Sequence, residues 1–85
     1  MTKDEIKKKV LSVVMEGDFL PGTVKKEMIR DDELLEVYGM DSFAFIQMVV
    51  QLEREFKIEV PETLLVVEKW ETINMITATL CSILN

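Results

Sequence analysis

With 85 residues, 48% of them hydrophobic and 31% charged, the chain suits one ordered domain, residues 1–85, with a single modest core and no room for a buried cleft of enzyme size. The lone cysteine, Cys81, excludes an internal disulfide and fits a reducing, cytoplasmic setting. With no histidine at all, Ser-His and Cys-His nucleophile pairs are excluded, as are zinc sites of the usual kind.

Charge divides unevenly. Residues 1–30 hold seven Lys/Arg against five Asp/Glu (+2), and residues 31–85 hold three against eleven (−8). An acidic half of that size repels phosphate backbones and anionic lipid, so nucleic acid and membrane surfaces are poor partners. It favours encounters with basic protein surfaces. No apolar run approaches bilayer length, and Val10 to Met15 is too short for a signal-peptide core. A monomer without stable membrane insertion is the expectation.

In chain order, a first helix is expected from Thr2 or Asp4 to Gly17. Ile6, Val10, Val13 and Val14 share one face of it, while Lys3, Lys7, Lys8 and Lys9 lie mostly off that face. Residues 18–41 form a long connection with a turn signal at Phe19-Leu20-Pro21-Gly22, pinned to the core by Met28, Ile29, Leu34, Leu35 and Tyr38, with one helical turn at Asp32 to Val37. Asp31, Asp32, Glu33 and Glu36 lack the spacing and internal glycine of a calcium loop.

The second helix is expected from Ser42 to Phe56, with Asp41 as N-cap and Phe43, Ile46, Val49, Val50, Leu52 and Phe56 on the buried face. Met40 and Phe45 then fall at the N′ and N4 positions of a hydrophobic staple. Pro61 suits the first position of a brief third helix through Leu64 to Val67. Thr72 caps the last helix, which places Ile73, Ile76, Leu80, Ile83 and Leu84 at helical spacing. The sum is an all-α protein, a small four-helix bundle of three longer helices and a short third one, with a long loop between the first two. Trp70 is a partly buried anchor between the third and fourth helices, Cys81 a packed small hydrophobe, and the methionines core filling.

Ser42 stands where loop turns into helix, beside open backbone N–H groups and the positive end of the helix dipole, a place suited to a phosphate. No base lies near it in sequence, so any chemistry at its hydroxyl needs activation by another protein. A capping box does not explain it either, because Ala44 and Phe45 occupy the positions where Glu or Gln would stand.

Tyr38-Gly39-Met40-Asp41-Ser42-Phe43, followed by Leu52-Glu53-Arg54-Glu55-Phe56-Lys57-Ile58-Glu59-Val60-Pro61 and then Glu71-Thr72-Ile73, resembles the acyl carrier protein family over nearly the whole chain. The resemblance implies that Ser42 bears a covalent 4′-phosphopantetheine arm, donated from coenzyme A by a phosphopantetheinyl transferase. It implies that Asp41 helps that transferase dock. The arm would hold acyl or aminoacyl thioesters for loading and condensing enzymes of fatty acid, polyketide or nonribosomal peptide type biosynthesis, and the protein itself would not be an enzyme. Where fatty-acid carriers place acidic residues early in the second helix, this chain has Ala44 and Gln47, with Gln51 a turn later, and Phe43 replaces the usual Leu. The stretch Glu68 to Ile73 is more like peptidyl or D-alanyl carriers. Phe43, Ala44, Phe45, Gln47, Met48 and Gln51 are therefore expected to form a weakly charged docking face on a discrete carrier, and Met48, Val49, Leu65 and Val66 can line a shelter for an acyl chain. The competing expectation is a noncatalytic helical interaction module, a degenerate carrier with Ser42 unmodified.

Overall fold

The computed structural model describes residues 1–85. Three α-helices carry the fold: α1 (Lys3–Glu16), α2 (Ser42–Phe56) and α3 (Ile73–Leu84). Four 3₁₀ turns, at Lys26–Met28, Leu35–Tyr38, Glu62–Leu64 and Val67–Lys69, punctuate the connections, and no strand is present.

α1 begins at Thr2 with a reciprocal capping box. The Thr2 hydroxyl accepts from the Glu5 N–H (3.2 Å), and the Glu5 carboxylate accepts from the Thr2 N–H (2.8 Å). Those hydrogen bonds, the backbone one first, hold the Glu5 carboxyl below the usual glutamate value. The helix ends at Gly17, where a Cβ would stand 2.0 Å from the Phe19 ring, so the glycine lets Phe19 and Leu20 fold back into the core. Ile6, Val10 and Val14 of α1 meet Met48 and Leu52 of α2 and Ile73, Ile76 and Leu80 of α3 in one fully buried cluster, closed by Leu35 and Trp70 from the connections. Each such side chain contributes roughly 1.5–3 kcal/mol by burial, which makes this cluster the main source of stability.

The long connection is stapled in place rather than loose. Leu35 plugs the core, its N–H donating to the Glu71 carbonyl (2.9 Å), and the Asn74 N–H donates to the Asp31 carbonyl (3.0 Å). The Asp31 carboxylate also pairs with Lys7 of α1, and the Tyr38 hydroxyl accepts from the Arg30 N–H (2.8 Å). The helical turn expected at Asp32 to Val37 is a 3₁₀ turn at Leu35–Tyr38, ended by Gly39 at φ +105°. A Cβ there would sit 2.9 Å from Pro21, so both the backbone angle and the close approach require glycine.

The third helix is not an α-helix, and the four-helix expectation becomes three α-helices plus a segment of two 3₁₀ turns. Pro61 precedes the first turn in extended conformation (φ −60°, ψ 146°) instead of starting a helix. The β-branched Val66 is extended (φ −123°, ψ 140°) and separates the two turns. Carbonyls in this segment find partners outside it. Leu64 accepts from the Trp70 indole N–H (2.8 Å), and Lys69 accepts from the Thr79 hydroxyl (2.8 Å). Trp70 is 1% exposed, a core residue rather than the partly buried anchor expected.

α2 also differs from expectation in which face it buries. Met48, Val49, Leu52 and Phe56 point inward, with Phe45 half-buried beside them, whereas Phe43 (68% exposed), Ile46 (63%) and Val50 (41%) face solvent. At about 100° per residue, 45, 48, 49, 52 and 56 share one side, and 43, 46 and 50 share nearly the opposite one. The helix therefore carries two apolar stripes. Only one has a partner within the chain.

Candidate functional site

Ser42 is the first residue of α2, and Asp41 is its N-cap, in extended conformation. The Asp41 carboxylate accepts from the Ala44 N–H (2.8 Å), and its carbonyl accepts from the Phe45 N–H (3.0 Å). The N–H groups of Ser42 and Phe43 have no acceptor in the protein, and the exposed Ser42 hydroxyl makes no hydrogen bond. The site therefore offers a free hydroxyl beside two open donors at the positive end of a 15-residue helix. That donor set fits a phosphodiester on Ser42 and supplies nothing that would turn the hydroxyl into a nucleophile.

Beside Ser42 opens a cleft of about 240 Å³. Leu34 and Met40 from the long connection, Phe45 and Ile46 from α2, and Val67 from the Val67–Lys69 turn form its apolar walls, while Glu36, Asp41 and Glu71 stand among them as carboxylates. No Lys or Arg contributes. Met40 and Phe45, expected as a staple across the helix start, both line this cleft. The shelter expected from Met48, Val49, Leu65 and Val66 does not assemble: Met48 and Val49 are packed into the core, while Leu65 and Val66 are exposed on the surface.

The expected docking residues divide in the same way. Phe43 and Gln47 are exposed, and Ala44, Phe45 and Gln51 are half-buried. Met48 is wholly buried between the helices and cannot meet a partner; a position six residues after Ser42 turns to the core side of α2. The exposed apolar stripe is instead Phe43, Ile46 and Val50, with Val67 nearby across the cleft. Phe43, Ile46 and Val50 are legible as apolar, but the helical period alone does not separate them from the inward-facing residues. Leu34, Val67 and Glu71 carry no local signal, because only the packing of the connections onto α2 brings them to Ser42.

Residues 23–80 match the family profile described as "Phosphopantetheine attachment site". A mitochondrial acyl carrier protein of Saccharomyces cerevisiae is 29% identical over 63 residues, which are 73% of this chain and 50% of the yeast protein. A D-alanyl carrier protein of Streptococcus uberis is 35% identical over 48 residues, 56% of this chain and 61% of that one. The matches thus span between half and two thirds of these relatives. In three dimensions the chain is similar, with a TM-score of 0.83 and 27% identity, to a chain in the crystal structure of an engineered Bradyrhizobium japonicum glycine:[carrier protein] ligase complexed with a carrier protein from Agrobacterium tumefaciens and ATP. That match covers 92% of this chain and 99% of the other, so the counterpart is of carrier size. The protein therefore belongs to the phosphopantetheine-attachment-site family, whose cofactor is a covalently attached 4′-phosphopantetheine.

Proposed function

We propose that Ser42 is the attachment point and that the protein presents amino acids or short acyl groups to partner enzymes. The observation that carries this reading is the start of α2: a free, exposed hydroxyl beside two unbonded N–H groups, within the stretch that matches the family. In loading, the Ser42 oxygen forms a bond to the β-phosphorus of coenzyme A, adenosine 3′,5′-bisphosphate leaves, and the hydroxyl proton passes to a base of the transferase. This chain leaves the hydroxyl free and exposed, and the open N–H groups at the helix start stabilise the added negative charge. The arm supplies a terminal thiol for thioester chemistry.

Loading by an ATP-using ligase is supported by the similarity to the chain in the glycine:[carrier protein] ligase complex with ATP, and an amino-acid cargo by the similarity to a D-alanyl carrier protein as well. The exposed stripe Phe43-Ile46-Val50 supports docking through apolar contact next to Ser42. A cytoplasmic setting, in keeping with one unpaired cysteine, is part of the same proposal. Intact-mass measurement after incubation with coenzyme A and a broad-specificity transferase tests it. One phosphopantetheine adduct is expected, absent in Ser42→Ala; a folded wild type that takes no adduct would refute the assignment and favour an unmodified interaction module.

A further inference from the structure

We propose that the exposed face of α2 is a self-association surface, on which a second copy of this chain lies antiparallel and covers Ser42. The inference does not depend on Ser42 carrying an arm. Phe43, Ile46 and Val50 are exposed and form an apolar seam with no partner within the chain. Arg54 follows Val50 at four residues, as Val50 follows Ile46, so it continues the same line, and Lys57 comes directly after the helix. Both cations are exposed. The ion pairs of the protein are Lys7 with Asp31 and Arg30 with Asp32, so neither Arg54 nor Lys57 is neutralised within the chain.

The other end of this face is acidic. Asp41 caps α2 with one carboxylate oxygen, and Glu36 and Glu71 stand with it and Ile46 around one cleft. A face that is acidic at one end, apolar in the middle and cationic at the other is complementary to itself when turned end for end. That is what a two-fold interface requires. The register follows from the spacing, with Ile46 of each copy over Val50 of the other. Arg54 lies four residues beyond Val50, and Ser42 lies four before Ile46. Arg54 of one copy therefore stands over Ser42 and Asp41 of the other, and Lys57 reaches the Glu36 side. A parallel pair would instead set Arg54 and Lys57 against their own counterparts, like charge on like.

Magnitudes make this pair weak and reversible. One helix face buries far less than the ~1,600 Å² of a standard interface, and exposed ion pairs direct the approach more than they strengthen it. Each copy also carries a net charge of −6, whose repulsion is screened beyond about 8 Å at physiological salt. The expected dissociation constant is on the order of 0.1–1 mM. The chain is then monomeric when dilute and paired when concentrated. In the pair Ser42 is shut away, and dilution or a protein that competes for Ile46 and Val50 frees it.

The test measures amide shifts and rotational diffusion of the unmodified protein by NMR from ~20 μM to ~1 mM in physiological salt. Tumbling should slow at the upper end, with the shifts concentrated on residues 41–57. Lys57→Glu should weaken the pairing several-fold, and so should Glu36→Lys, while the double variant regains it. Net charge alone predicts otherwise, because Lys57→Glu makes the chain two units more negative than −6 and Glu36→Lys two units less. A charge-only effect would therefore tighten association in Glu36→Lys. Both positions are exposed, and circular-dichroism melts verify that the variants fold. A chain that stays monomeric at ~1 mM, shifts that map to another surface, or a Glu36→Lys that associates more tightly than wild type overturns the pairing. Loading with the arm plays no part in these measurements, so their failure leaves the carrier assignment standing.

Discussion

Asp41 does two separable things, and replacing it in two ways distinguishes them. Its carboxylate caps α2 through the Ala44 N–H at 2.8 Å, and its negative charge sits at the positive helix end. Asp41→Ala removes both. Loss of the cap costs ~1 kcal/mol, and loss of the charge at the helix start adds roughly 0.3–1 kcal/mol. For a domain of this size each kcal/mol is worth about 4–8 °C in melting temperature, so Asp41→Ala should lower it by roughly 5–15 °C. Asp41→Asn keeps a capping oxygen in the same place and should lose only the dipole part, roughly 1–8 °C. Circular-dichroism melts of the unmodified protein read this directly. Loading rates, followed by intact mass below the melting transition, read the second role. If the acid contributes to transferase docking, both variants load slowly despite their different stabilities. Equal melting temperatures for wild type and Asp41→Ala would refute the cap argument. A folded Asp41→Asn that loads at the wild-type rate would refute the docking role.

Gly39→Ala should destabilise by more than ~1 kcal/mol, because φ is +105° and the new Cβ meets Pro21 at 2.9 Å; a urea titration with an unchanged m-value checks it. Trp70→Phe keeps most of the buried ring but leaves the Leu64 carbonyl without its donor, at a cost of roughly 1–3 kcal/mol; full stability in that variant would mean the hydrogen bond contributes nothing net. Phe43→Asp, at a position 68% exposed, should leave stability within about 0.5 kcal/mol yet raise KM for a loading enzyme several-fold; an unchanged KM would remove the apolar stripe from the docking surface. Glu5 has its carboxyl pKa depressed by the Thr2 capping bonds. Its contribution is therefore complete above the ordinary glutamate value and is lost as pH falls through the lower folded value; a carboxyl titration by NMR that gave an ordinary value, unchanged in Thr2→Ala, would contradict the capping box.

The two apolar stripes of α2 bear on what kind of carrier this is. A helix that exposes Phe43, Ile46 and Val50 beside its attachment serine retains unspent apolar surface. The carboxylates of the neighbouring cleft, Glu36, Asp41 and Glu71, come from the connections and the N-cap rather than from the stripe. Contact with an enzyme would then gain its affinity from apolar burial, while the charges set orientation and encounter rate.

Read alone, the chain determined the three long helices and their caps, because those features are local. Asp41 and Thr72 stand directly before apolar-periodic runs and cap as expected, while the first helix could start at Thr2 or Asp4 and the structure selects Thr2 as its cap. The position of Ser42 at the start of a helix was determined in the same way, by the residues on either side of it. Tertiary structure alone decided three further matters. It chose which stripe of α2 is inside, since Phe45-Met48-Val49-Leu52-Phe56 and Phe43-Ile46-Val50 both satisfy a helical period and only packing against α1 and α3 separates them. It replaced a third α-helix with two turns, because the Trp70 indole and the Thr79 hydroxyl, six and ten residues on, capture carbonyls of this segment. And it made the cleft: Leu34, Val67 and Glu71 reach Ser42 only because Leu35 and Trp70 are buried in the common core, drawing both connections onto the start of α2.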